Sequence, residues 1–114
     1  MRGVHHKVFA SFYPLAPAEA LALSEALEGL SWLVVGEETF VFREGDMLRL
    51  SFEGQYFPVD EALELLDGLL PESAEGRFDA IDMDAWTITR HLYAKGKRHS
   101  NTRSLNDVLE YSGH

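Results

Sequence analysis

Five of the chain's ten lysines and arginines fall within fourteen positions: Arg90, Lys95, Lys97, Arg98 and Arg103, with no acid among them. Cations at that density suit an anion. Arg98 and Arg103 each offer a planar fork that can hold a carboxylate or phosphate through two hydrogen bonds. His99, Ser100, Asn101 and Thr102 add neutral hydrogen-bonding groups between them. The bland alternative is a solvated segment that pairs with the protein's own acids or with those of a second copy. No glycine-rich phosphate cradle accompanies the run, since Gly96 stands alone and GxxxxGK[ST] is absent.

A second set that could do chemistry is Asp79, Asp82 and Asp84 in FDAIDMDAW, with His91 downstream. Paired carboxylates and an imidazole serve general acid–base work or hold Mg²⁺. Alternating acids are also what a half-exposed edge strand uses to deter unwanted pairing. Asp82 and Asp84 are expected on one face of such a strand, with Asp79 on the other. His5 and His6 are neighbours on a strand, so they point to opposite faces and cannot share a metal. No HxH, HExxH, DxDxDG or GxSxG pattern occurs, and no other recognised nucleophile context is present. On this reading no residue is assigned as catalytic or metal-ligating, no cofactor is implied, and the sequence points away from an enzyme.

The charge is polarised along the chain. The total is −9 over 114 residues. Residues 1–76 carry 4 basic and 14 acidic side chains, and residues 77–114 carry 6 and 5. An acidic whole argues against broad nucleic-acid binding and against attraction to anionic membranes. It leaves room for a local anion site. The absence of cysteine excludes disulfides, cysteine-bound zinc, Fe–S clusters and a thiol nucleophile. No apolar run approaches the ~20 residues of a membrane helix, and no signal-peptide stretch is apparent near the start. A cytoplasmic location is the expectation.

These side chains need elements to position them. VHHKVFASF (4–12) reads as a strand that Pro14 and Pro17 end. Pro17 opens a helix over 17–28, with Ala20, Leu23, Leu27 and Leu30 on its apolar stripe and Gly29 as its C-cap. Three strands follow, over 31–35, 39–43 with Phe40 and Phe42 on one face, and 47–52 with Leu48, Leu50 and Phe52 on one face. Tyr56-Phe57 extends the last. After Pro58, the spacing of Val59, Leu63, Leu66 and Leu70 predicts a second, well-buried helix that Pro71 stops. Residues 78–83 and 86–93 read as a hairpin turned at Asp84-Ala85. Residues 95–103 contain no apolar side chain and are expected to be a basic loop or mobile arm. Ser104 and Asp107 have capping-box spacing for a C-terminal helix over 104–112.

The expected fold is one α+β domain over 1–114: a two-layer antiparallel sheet with helices on one face, in the order β-α-β-β-β-α-β-β-α. Ser-Phe, then Pro, then Glu-Ala-Leu recurs at residues 11–21 and 51–63, which suggests two βαββ halves plus the C-terminal helix. Two or three helices leave one face of such a sheet uncovered, and an uncovered apolar face invites a partner. The central run α-β-β-β-α-β-β-α in a small acidic chain is similar to the arrangement of type III secretion chaperones. That resemblance implies a chaperone- or adaptor-like role toward a protein partner. The leading expectation is a non-enzymatic protein–protein interaction or assembly module acting as a homodimer. One alternative is a regulatory protein that binds a small anion or nucleotide phosphate through residues 90–103. The other is a small hydrolase or transferase centred on Asp82, Asp84 and His91.

Overall fold

The computed structural model describes residues 4–36 and 39–106. Alternation of apolar and polar side chains dictates the first strand, β1 (His6–Tyr13), in which Val8, Ala10 and Phe12 are buried and the residues between them are not. Helix α1 (Pro17–Glu28) begins at the expected proline, and the Glu19 carboxylate accepts a 2.9 Å hydrogen bond from the Ala16 N–H. Gly29 follows its last residue as the cap.

The run expected as a strand over 31–35 instead forms a 3₁₀ turn at Ser31–Leu33, and only β2 (Val35–Gly36) joins the sheet. A short apolar run carries no period that separates strand from turn. Here the chain must reverse from α1 onto the sheet, and it leaves Trp32 79% exposed. Strand β3 (Val41–Glu44) and the long β4 (Met47–Tyr56) form a hairpin. Phe40 and Phe42 do not share a face. Phe40 lies before the regular strand and turns into the core, its carbonyl accepting the Ser51 N–H, whereas Phe42 lies under the Arg49 guanidinium.

Helix α2 (Val59–Leu69) follows Pro58 and buries Ala62, Leu63 and Leu66. Asp60 and Glu61 sit in its first turn, where the helix dipole favours them. Strands β5 (Glu75–Asp82) and β6 (Thr87–Ala94) form the expected hairpin around Asp84-Ala85. The basic segment is not a loop. Lys97–Ser104 forms β7, paired with β6 along its whole length. Ser104 ends that strand and also opens the next helix, because Leu105 and Asn106 are helical and the Asn106 N–H donates a 3.1 Å hydrogen bond to Ser104 Oγ, while the rest of the expected C-terminal helix, with Asp107, lies outside the described residues.

Among the described residues, seven strands make one antiparallel sheet with two α-helices, a small compact α+β domain. The strand order is β2-β4-β1-β5-β6-β7, with β3 also on β4. Each helix leaves a central strand, α1 after β1 and α2 after β4, so the two crossovers interleave in split β-α-β fashion. β1 therefore lies in the middle of the sheet. β7 falls where the α-β-β-β-α-β-β-α run has its last helix, a departure from that order.

Register fixes the two faces. Val8, Ala10, Phe12, Leu48, Leu50, Phe52, Phe78 and Tyr93 join Ala20, Leu23, Leu27, Ala62, Leu63 and Leu66 of the helices in one apolar cluster. Phe57 links it, stacking near Phe40, Phe52 and Phe78. Gly76 is small by necessity, because a Cβ there would collide with the Phe12 ring.

Candidate functional site: the sheet face opposite the core

Strand pairing carries the alternate residues to the other face. Phe9, Asp79, Arg90 and Asn101 line up across β1, β5, β6 and β7, and Ser11, Arg77, Leu92 and His99 form the next row. Lys7, Ile81, Ile88 and Arg103 form a third. Lys97 takes the same face at the start of β7, opposite Ala94, and Arg49 takes it on β4, opposite Ser11. Six of the ten lysines and arginines of the chain thus occupy this face. The acids sharing it are Glu44, Glu53, Glu75 and Asp79. By contrast α1 and α2 together carry Glu19, Glu25, Glu28, Asp60, Glu61, Glu64 and Asp67, and no lysine or arginine. The polarity seen along the chain becomes a polarity through the domain.

Asp79 organises the centre of the face. It is 7% exposed, and Arg90 binds it with two hydrogen bonds, Nε–Oδ1 at 2.9 Å and Nη2–Oδ2 at 3.1 Å. Arg77 Nε lies 3.5 Å from the same carboxylate. The hydrogen bond to Asp79 raises the pKa of Arg90 above its ordinary value. Two guanidinium groups around one carboxylate leave a local excess of positive charge, with His99, Asn101 and Arg103 on β7 beside Arg90.

The five basic residues singled out by the sequence do not converge. Arg90, Lys97 and Arg103 lie on this face, Lys95 lies in the β6–β7 turn, and Arg98 points to the core side. There Arg98 Nη2 sits 3.3 Å from Asp67 of α2, and Tyr93 donates a 3.2 Å hydrogen bond to the same carboxylate. Burial, with the Asp67 charge, pushes the Tyr93 phenol well above its usual range. Leu66, Asp67, Tyr93, Lys97 and Arg98 line a cavity of about 280 Å³, just under the ~300 Å³ at which small-molecule pockets begin.

Asp82, Asp84 and His91 are also kept apart. Asp82 Oδ1 accepts the N–H groups of Asp84 and Ala85, so it builds the turn. Asp84 lies beyond β5, not on its face, and pairs with His5 Nδ1 at 2.9 Å. His91 sits on the core side opposite Phe78, four residues from Asp82 along β5, or about 13 Å. Among the described residues no three His, Asp or Glu side chains stand close enough to hold a metal ion.

Two relationships escaped the sequence. His91 Nδ1 lies 2.6 Å from Ser100 Oγ, an imidazole brought to this serine across the strands. Burial, reinforced by Arg98, lowers the His91 pKa and keeps the ring neutral near pH 7. Its one hydrogen bond among the described residues is to Ser100, and no acid orients the ring as a nucleophile's base requires. Arg77 was the other omission. It shares parity with Asp79 on β5, which the alternation would have revealed.

The chain matches no family model, no curated protein and no solved structure. What it does must be read from the surface itself. No helix among the described residues is long and apolar enough to cross a membrane.

Proposed function

We propose that the protein is a non-enzymatic interaction module, a two-layer domain whose helices cover one sheet face and whose other face meets a protein partner. One observation carries this reading: the six cations at register positions on that face, against seven acids and no cation on the helices. The face carries an excess of positive charge, six cations to four acids, and such an excess steers an oppositely charged partner and fixes its orientation more than it adds affinity. The apolar side chains set among the cations, Phe9, Ile81, Ile88 and Leu92, supply the contact area that charge alone does not. Acidic helices on a second copy have the matching sign, so head-to-tail self-association, with a homodimer as its first step, belongs to the same proposal.

Size-exclusion with light scattering tests it. The expected result is self-association at micromolar concentration, a dimer first and larger head-to-tail species as concentration rises, that dissociates as salt screens the contact. Arg77→Glu with Arg103→Glu should give a monomer, and Glu61→Arg with Glu64→Arg on the helix should restore association to that variant. A monomer throughout the micromolar range removes the homodimer.

A second reading is favoured by the Asp79 pair. Arg77 and Arg90, held side by side and flanked by His99, Asn101 and Arg103, suit a phosphate or a small carboxylate. A ligand at a hundred times its dissociation constant should stabilise the fold by about 2.7 kcal/mol. A thermal-shift panel of phosphate and nucleotides that moves nothing, or moves Arg77→Ala equally, overturns this reading.

A further inference from the structure

The last strand of the sheet has an unused edge whose polarity can be worked out. Lys95 and Gly96 form a two-residue turn with φ of 54° and 74°. Positive φ at both positions is the type I′ hairpin geometry, which makes Ala94 and Lys97 a hydrogen-bonded pair. Pairs then alternate along the ladder. Leu92/His99, Arg90/Asn101 and Ile88/Arg103 exchange backbone hydrogen bonds, and Tyr93/Arg98, His91/Ser100 and Thr89/Thr102 exchange none. Two observations agree with this phase. The Leu105 N–H donates to the Trp86 carbonyl at 2.9 Å, one alternation beyond Ile88/Arg103. The cross-strand contacts His91–Ser100 at 2.6 Å and Thr89–Thr102 at 2.8 Å fall at non-bonded pairs, where opposed side chains are closest. The backbone N–H and C=O groups of Arg98, Ser100 and Thr102 therefore point away from β6, and among the described residues nothing pairs with that side of β7.

We propose that this edge is a docking site for an extended acidic segment of a partner protein, which adds to the sheet as a further antiparallel strand. The inference rests on the interaction-module reading and names the partner's chemistry for one of its surfaces. β7 spans eight residues, about 26 Å, with no bulge and no proline in its register. It contains Lys97, Arg98 and Arg103 and no acid, with Lys97 and Arg103 on one face and Arg98 on the other. An added strand with acids at alternate positions would meet opposite charge across the pairing. A second copy of β7 would not. In the self-pairing register centred on Ser100, Lys97 of each copy faces Arg103 of the other, and like charges directly opposite are destabilising. The strand has no apolar side chain to bury, so main-chain hydrogen bonds and charge would carry recognition, as in other strand additions.

The test uses the full chain and a blocked eight-residue peptide of alternating Glu and Val, with amide exchange followed by NMR. The expected result is slowed exchange at Arg98, Ser100 and Thr102, with no change at His99 and Asn101, which already bond to β6. Thr102→Pro removes one outward N–H and should weaken the peptide by about tenfold, while Thr102→Ala stays within about twofold. Lys97→Glu with Arg103→Glu should transfer preference to a blocked eight-residue peptide of alternating Lys and Val. Peptide protection spread over the opposite-face residues, equal binding of a proline-interrupted peptide, or equal binding of polyphosphate would overturn the proposal. Protection of the same three amides by the protein alone, growing with its concentration, would assign the edge to a second copy and also overturn it. Failure here leaves the light-scattering outcome for the sheet face untouched.

Discussion

Arg90 meets Asp79 side-on, with two hydrogen bonds at 2.9 and 3.1 Å, and the two differ greatly in exposure: the side chains are 48% and 10% accessible. Removing one partner is therefore not equivalent to removing the other. Arg90→Ala strands a buried carboxylate with only the longer contact from Arg77, whereas Asp79→Asn leaves two arginines that water can reach. Losing the partner of a buried charge costs more than losing a solvated one. Arg90→Ala should destabilise by about 2 kcal/mol and Asp79→Asn by about 1 kcal/mol, read from urea midpoints at constant slope. The reverse order would mean that Asp79 is solvated in solution.

Two glycines should respond with opposite signs to the same substitution. A Cβ at Gly76 would strike the Phe12 ring and come 2.7 Å from the Ser11 carbonyl, whereas one at Gly68 meets nothing within 4 Å. Gly76→Ala should cost about 1–3 kcal/mol through overpacking. Gly68→Ala, inside α2, should stabilise by about 0.5–1 kcal/mol through helix propensity. Chemical denaturation of the pair measures both.

The parts of this fold that were legible in the sequence are those in which one side is buried and the other is not. β1, β4 and α2 each bury one stripe, and their side chains announce the period. The hairpin of β5 and β6 was readable for the same reason. β7 was not, because KRHSNTRS is exposed on both faces and offers no apolar alternation to detect. The signal that could have found it was the turn. Lys95-Gly96 after an apolar–polar strand is a two-residue loop, and counting outward from it pairs His91 with Ser100 and Arg90 with Asn101. Taking the basic residues as one cluster failed for a related reason. Consecutive strand residues face opposite ways, so Arg98 and Lys97 could not act together. The Ser31–Val35 run failed because its length and apolar character fit a turn as well as a strand.

The turn itself supplies a stability test. Lys95 holds φ at 54°, a left-handed conformation that strains a long side chain and that Asn tolerates far better. Lys95→Asn should stabilise by about 0.5 kcal/mol, since Asn-Gly is the favoured type I′ pair. Thermal denaturation reads it. A loss of stability instead would mean that residues 95–104 do not form this hairpin in solution.

His91 makes stability depend on pH in a stated direction. Its folded pKa lies below the ordinary 6.5, chiefly because burial disfavours the imidazolium, with Arg98 adding repulsion. Asp67, Asp79 and Asp60 oppose that shift without cancelling it. A group whose folded pKa is depressed binds more protons when unfolded, so stability rises with pH across the window between the two values. The stabilisation is complete above about 6.5 and is lost as pH falls through the folded pKa. His91→Gln has no titrating ring and keeps a polar side chain opposite Ser100. Urea midpoints between pH 5 and 7.5 should therefore fall more steeply on acidification for the parent than for His91→Gln, with the curves parallel above pH 7. Parallel curves over the whole range would show that the ring is hydrated and that the contact with Ser100 does not persist.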